Sequence, residues 1–412
     1  MSGTCANRPE IAATSDEFTR LAGWLLLVLV GFNLRPFLTA LSPVLPQVQA
    51  ETGLENGTAA VLTTLPFLLM GVMALAGPGL ARRYGEQRML LGALVLLALG
   101  AGGRLLIGPA AAFGLVLTAL LAGTGIALVQ ALLPGVAKRW FGARVPLAMG
   151  LYSAALVGGG ALGAMVAPLA SDMTGDWRPG LAVWALPALL AWLLWLWLAP
   201  EVAHDTAVPS VRRFVPLPRA WLLAVFFGLG NSGYSSLVAW LPAFYQANGM
   251  PVQDSGGLLA WMSLFQSAAA LLMPLLRRGT PDLRLCFYAS LSLQCIGFCA
   301  FALAPMSAPL LWIAIAGLGL GGFFSLCLTL CLEHLLDARA AGSLAAFMQG
   351  LGFGLTALGP WAVGALLDQG GRFEFAWGCH ACLTLVLLLL SRRFDPAGYA
   401  RALEPGRKTT FA

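Results

Sequence analysis

The sequence predicts an all-α membrane protein of twelve transmembrane helices arranged as two pseudo-symmetric six-helix bundles. Three observations predict it. The chain of 412 residues is 59% hydrophobic and only 10% charged, with a mean hydropathy of +0.81, whereas soluble domains carry about 25% charged residues. Apolar runs of spanning length recur twelve times along it. Landmarks in the first half also reappear, in order, about 196 residues later.

Residues 1–20, MSGTCANRPEIAATSDEFTR, are polar and mixed in charge and read as a cytoplasmic N-terminal tail. The apolar run that follows is too long for a signal-peptide core and leads into NLRP rather than a small-residue cleavage site, so it is a retained first helix. The spans are expected near 21–48, 58–80, 88–107, 111–137, 146–170 and 179–199, then 219–246, 255–276, 284–304, 308–332, 342–367 and 375–391. The turns between them are short, apart from residues 200–218. That stretch, EVAHDTAVPSVRRFVPLPR, is polar and basic and reads as a cytoplasmic linker between the bundles at 21–199 and 219–391. Residues 392–412 form a cytoplasmic C-terminal tail. Seven of the eight cysteines fall in apolar runs and read as small packing residues, with no disulfide framework implied.

The basic residues orient the chain. With both termini in the cytoplasm, twenty of the 24 Lys and Arg residues fall in inner loops and tails, three (Arg104, Arg178 and Arg372) fall outside, and Arg35 falls in neither. So lopsided a distribution supports cytoplasmic termini and an even number of spans. It also accounts for the formal charge of +6 without nucleic acid as a partner.

The repeat is carried by Pro46 and Gly53 against Pro242 and Gly249, Pro78 against Pro274, and Arg88 against Arg284. Arg82-Arg83 matches Arg277-Arg278, and the AGxG at Ala122 matches that at Ala316. A parallel repeat of two halves is the layout of secondary transporters with a site between the halves. The chain resembles the major facilitator superfamily along nearly its whole length. The loop after the second span, PGLARRYGEQR (78–88), keeps Leu80, Arg83 and Gly85 of the family's G-x-L-x-D-R-x-G-R-R pattern but carries Arg82 where the pattern has Asp. The stretches NLRPFLT (33–39), LVQALLPGVAKRWF (128–141), MGLYSAALVGGGALGA (149–164), NSGYSSLVAWLPAFY (231–245) and AFMQGLGF (346–353) resemble its branch of bacterial cyanate and 2-nitroimidazole transporters, on the cyanate side. The resemblance implies a multi-pass protein of the bacterial inner membrane. It also implies cyanate or a similar small anion as cargo.

Arg35 is the residue from which the chemistry is read. It is the only charge between Arg20 and Glu51, near the middle of the first span. An arginine at the bilayer midplane costs from about 2.5 to over 10 kcal/mol, depending on the reference state. The 18 acidic residues all map to helix ends or loops, so no buried counter-ion is visible. The sharp expectation is that the counter-ion is the cargo, since a guanidinium presents its donors as a fork suited to a small anion. The blander reading is an arginine capping the carbonyls of a broken helix. Pro36, Pro43 and Pro46 point to such a break, and Asn33 and Thr39 are close enough to share the cavity. Under the repeat, Asn231 takes the place of Arg35. Around it NSGYSS is too polar for lipid, which makes Asn231, Tyr234 and Trp240 candidates for the site, the serines less so. Gln130, Tyr152, Gln266 and Gln349 are further polar residues within spans. Pro36, Pro46, Pro242, Arg82 and Arg83 are expected to serve gating.

Two motifs are declined. GLGLGG (317–322) satisfies the dinucleotide pattern G-x-G-x-x-G but sits in an apolar helix with no preceding strand, which favours close helix packing; GGGALG (158–163) reads the same way. His334 is expected at an interface and His380 as a packing residue. No nucleophile–base or metal-ligand spacing occurs at depth, so no enzyme activity, metal or cofactor is expected. The reading is a transporter, expected to act as a monomer in the lipid bilayer. It moves a small anion by alternating access, driven by gradients. The alternative is an exporter of neutral, drug-like compounds such as nitroimidazoles, with Arg35 structural.

Overall fold

The structure, a computed structural model, describes residues 9–108, 112–141, 144–199, 211–276, 282–335 and 338–399. It is helical throughout, and twelve of its segments are long and apolar enough to cross a membrane. The first span, Leu21–Thr52, is built from α1 (Pro9–Asn33), the single turn α2 (Pro36–Thr39) and α3 (Leu41–Thr52). Four spans follow as α4 (Asn56–Tyr84), α5 (Glu86–Gly102), α6 (Ala112–Phe141) and α7 (Val145–Thr174). The sixth is α8 (Trp177–Ala182) with α9 (Ala185–Leu198). The second set is α10 (Pro218–Ala247), α11 (Val252–Leu275), α12 (Arg284–Leu303), α13 (Pro309–Glu333), α14 (Ala338–Asp368) and α15 (Phe373–Leu390). The expected spans are all present. Of the expected tails and linker, residues 1–8, 200–210 and 400–412 lie outside the described residues, and α1 already begins at Pro9 within the stretch read as a tail.

Close packing without a hydrophobic drive between helices requires small residues at the contacts. A Cβ on Gly319 would lie 2.6 Å from Ser290 O and Gln294 N, and one on Gly317 would lie 2.7 Å from Met262 O. The GLGLGG stretch is therefore a packing face of α13 against α12 and α11. Gly53 and Gly249, matched by the repeat, both close a span with positive φ (67° and 90°), a backbone state that glycine adopts without a Cβ penalty.

The two bundles meet through α4 against α14, α7 against α11, and the first span against α10. Hydrogen bonds crossing between them include Arg35 to Tyr234, Ser42 to Val238 O, and Gln246 Nε2 to Pro43 O at 2.9 Å. Gln253 also donates to Asp172, and the backbone amides of Asn56 and Gly57 to Asp368. All of these lie between the middle of the bundle and the end away from the chain termini, the far end below.

The segment after α15 docks back on the second bundle. Arg219 Nε donates to His334 Nε2 at 3.1 Å, and His334 Nδ1 meets Leu330 O at 2.6 Å. Tyr399 stacks on the imidazole with ring centroids 4.1 Å apart. His334 is thus buried rather than interfacial. Burial chiefly, with the nearby Arg219 charge, lowers its pKa to about 4 against the Leu330 carbonyl, which acts the other way. Because the unfolded chain binds a proton at 6.5 and the folded one not until about 4, this group's contribution is present above 6.5 and is lost as pH falls toward 4. Thermal unfolding in detergent should therefore show a loss on the order of 3 kcal/mol across that window, and His334→Gln should flatten it.

Candidate functional site

The break in the first span is local and has a covalent cause. Pro36 opens α2 with no N–H to give, and Leu34 and Arg35 form the turn before it. Thr39 ties α2 to α7 by donating to Gly160 O at 2.7 Å. Gly160 leaves space for the arginine stem: a Cβ there would stand 3.0 Å from Arg35 Cβ. The half-buried guanidinium then reaches into the second bundle, where Nη1 donates to the Tyr234 hydroxyl. Its Cζ stands 5.2 Å from the Tyr234 ring centroid. Nε is buried without a partner, and no ion pair to Arg35 occurs among the described residues. Tyr152, buried on α7, lies within electrostatic reach of the same guanidinium. Phe67 of α4 meets Tyr234 edge to face at 6.3 Å.

The other expected site residues divide. Gln130, Gln266 and Gln349 are half-buried, and none makes a side-chain hydrogen bond among the described residues. Asn33 instead donates to Leu29 O (2.7 Å) and Pro187 O (3.2 Å), which ties the end of α1 to α9 inside the first bundle. Asn231 bonds back to Phe227 O at 2.8 Å on its own helix. Trp240 is buried and donates to Pro360 O at 2.9 Å, so its indole faces α14 rather than walling the Arg35 pair. Ser236 meets His380 Nε2 at 2.9 Å, and that imidazole lies against Phe298 and Trp377, a packing role.

The prolines act through the carbonyls they release. Pro242 sits inside an uninterrupted α10 and cannot donate to Val238 O four residues back, and Ser42 of α3 donates there instead. Pro360 similarly leaves Thr356 O to Ser235, at 2.7 Å. Pro46 lies within α3 and does not interrupt it. Arg82 and Arg83 end α4 exposed to solvent and without ion pairs among the described residues; the loop beside them is held within its own bundle by Glu86 and Arg139. Phe67 and Gly160 escaped the sequence reading, the first because nothing distinguishes one apolar aromatic from another, the second because GGGALG was read only as helix packing.

Residues 25–360 match the model of the Major Facilitator Superfamily. The chain belongs to that family. It is a multi-pass membrane transporter. It is 47% identical to the cyanate transport protein CynX of Escherichia coli strain K12 over 378 residues, covering 91% of this chain and 97% of that one. Identity to the 2-nitroimidazole transporter of the same organism is 31%, over 88% of this chain and 92% of the relative. Among solved structures, a mutant of the nucleoside transporter NupG superposes with a TM-score of 0.72 at 14% identity, covering 90% of this chain and 99% of that one. A bacterial homolog of the human lysosomal transporter Spinster, inward-facing and unoccupied, gives 0.70 at 15% identity, covering 96% and 99%. These two establish the fold alone.

The close approach of Arg35 to α7 depends on Gly160. Gly160→Val should lower stability by about 1–3 kcal/mol through overpacking. Gly158→Val, where a Cβ meets nothing within 4 Å, should be close to neutral. Thermal unfolding in detergent compares the two.

Proposed function

We propose that this transporter moves a small monovalent anion, cyanate or a close analogue, across the bacterial inner membrane by alternating access around Arg35. The observation that carries the reading is a guanidinium at mid-span with a hydroxyl as its partner, no carboxylate among the described residues, and a free donor at Nε. Leaving such a charge uncompensated in a low-dielectric interior is costly, and an anion supplies what the protein does not. The kinship to CynX, a cyanate transport protein, supports the cargo. The 2-nitroimidazole relative is more distant and gives weaker support to a neutral cargo.

In this reading Arg35 binds the anion, Tyr234 and Tyr152 add hydroxyl donors, and the amides of Gln130, Gln266 and Gln349 line the approach. Asn33, Thr39, Asn231 and Trp240 hold the helices that carry these groups. The basic loops support chain termini in the cytoplasm; on that reading, with bundles at 21–199 and 219–391, the far end faces outward and its inter-bundle contacts close that side. Rocking of the bundles exchanges the accessible side. Without a carboxylate at the site, the cargo's own charge or exchange of anions links transport to gradients. The protein works as a monomer, with neither catalysis nor a cofactor, and nucleic acid is no partner.

The test is uptake of labelled cyanate into proteoliposomes. Wild type should show saturable uptake. Arg35→Gln should lose at least tenfold while remaining folded, and Tyr234→Phe should fall between the two. Uptake unchanged in Arg35→Gln would make the arginine structural and favour the neutral-cargo reading; wild-type uptake equal to empty liposomes would remove cyanate.

A further inference from the structure

We propose that Asp172 and Asp368 form a two-point latch that holds the far end of the transporter shut. The two residues occupy matching places, 196 positions apart, in the last turns of α7 and α14. Each reaches across to the other bundle, at the first turn of a helix. Asp368 accepts from the backbone amides of Asn56 at 2.9 Å and Gly57 at 2.6 Å, the opening residues of α4. Asp172 accepts from the side chain of Gln253 at the opening of α11. Gln253 is itself the repeat partner of Gly57.

The first amides of a helix have no partners within it and sit at the positive end of its dipole. A helix ordinarily meets that need with its own N-cap side chain. Here α4 does not: Glu55 occupies the N-cap and makes no side-chain cap bond. Pro251, at the N-cap of α11, makes none either. The cap of α4 is therefore supplied in trans, by the bundle against which it closes. Glycines let the backbones come close enough. A Cβ on Gly364 would lie 2.7 Å from Asn56 O, one on Gly256 would lie 2.5 Å from Ala164 O, and one on Gly57 would lie 2.9 Å from Asp368 Oδ2. Opening the far end separates α4 from α14 and α7 from α11, and both carboxylates lose these partners together. The latch depends on the two-bundle fold and not on Arg35 or on the cargo, so it stands or falls separately from the proposed function.

Double electron–electron resonance on the full chain in liposomes tests it, with spin labels on non-natural residues so that the native cysteines stay untouched. One label pair, at Glu55 and Gln369, flanks the Asp368 contact; the other, at Thr174 and Asp254, flanks that of Asp172. Each single variant is read at the opposite pair. Asp368→Asn and Asp172→Asn should each shift the closed-to-open ratio about tenfold toward a longer distance, the scale of a charge-assisted hydrogen bond. The double variant should exceed either single one. Asn56→Pro provides a change that leaves the carboxylate alone. It removes one donor at the first helical position, which proline favours, and Glu55 before it is already extended (φ −67°, ψ 156°). It should open the far end less than Asp368→Asn. Unchanged distances in the double variant would overturn the latch, as would opening by Asn56→Pro with none by Asp368→Asn.

Discussion

One charge near the middle of the first span sets the terms for the rest of the site. Arg35 cannot reach water along an unbroken helix surrounded by hydrocarbon, and no carboxylate meets it among the described residues. The chain responds with three adjustments that only make sense together. Pro36 breaks the span beside it, Gly160 removes the Cβ that would block its stem, and Tyr234 offers a hydroxyl from the opposite bundle. The arginine is thereby placed on the interface between the bundles rather than within one of them. A neutral hydroxyl satisfies one donor and leaves the charge itself unbalanced, which is the condition for a transient anion partner.

The same economy of backbone groups explains why the repeat is not a perfect symmetry. The first span is broken at Leu34–Arg35, whereas its counterpart α10 runs without interruption from Pro218 to Ala247. The reason is in the chain: Pro36 has Ser232 as its counterpart, and serine keeps the N–H that proline lacks. Elsewhere the correspondence survives at the level of single bonds. Thr39 donates to Gly160 O and Ser235 to Thr356 O, both at 2.7 Å and both across 121 residues. The two halves keep these bonds while adjacent pairs diverge: Pro36 against Ser232 breaks one helix only, and Arg35 against Asn231 places a cation on one side of the interface only.

The spans, their pairing into two halves and the lack of an acidic partner for Arg35 among the described residues were legible because each rests on signals that accumulate along the sequence: run length, charge distribution, and landmarks at one offset. The partners of individual polar side chains were not. Asn231 and Trp240 sit in a polar stretch that looks like a binding surface, yet each spends its donor on a backbone carbonyl, one on its own helix and one on α14. An asparagine or tryptophan in an apolar helix has both options, and which it takes depends on the face that neighbouring helices cover. That face is a tertiary fact. Tyr234 and Arg35, by contrast, are 199 residues apart, three beyond the repeat offset, a relation no periodicity in either helix marks. Asp172 and Asp368 were equally hidden, since a carboxylate at a helix end looks the same whether it faces solvent or caps a helix of the other half.

The bonds that join the bundles fall into two kinds with different consequences for transport. Ser42 to Val238 O and Gln246 to Pro43 O are neutral contacts to backbone carbonyls at the meeting of the first span and α10. The contacts of Asp172 and Asp368 lie at the far rim and carry charge on one side. Arg35 to Tyr234 differs from both kinds, since among the described residues it is the crossing bond whose donor carries a positive charge. On the proposed function, cargo binding would act at a bond that also fastens the two halves. An anion that draws the guanidinium away from the tyrosine weakens the closure at its innermost point, and one bridging both residues strengthens it. Since a ligand can bias a two-state equilibrium only by its differential affinity for the two states, under the proposed function the geometry of an anion against Arg35 and Tyr234 would decide the direction in which binding shifts the two bundles.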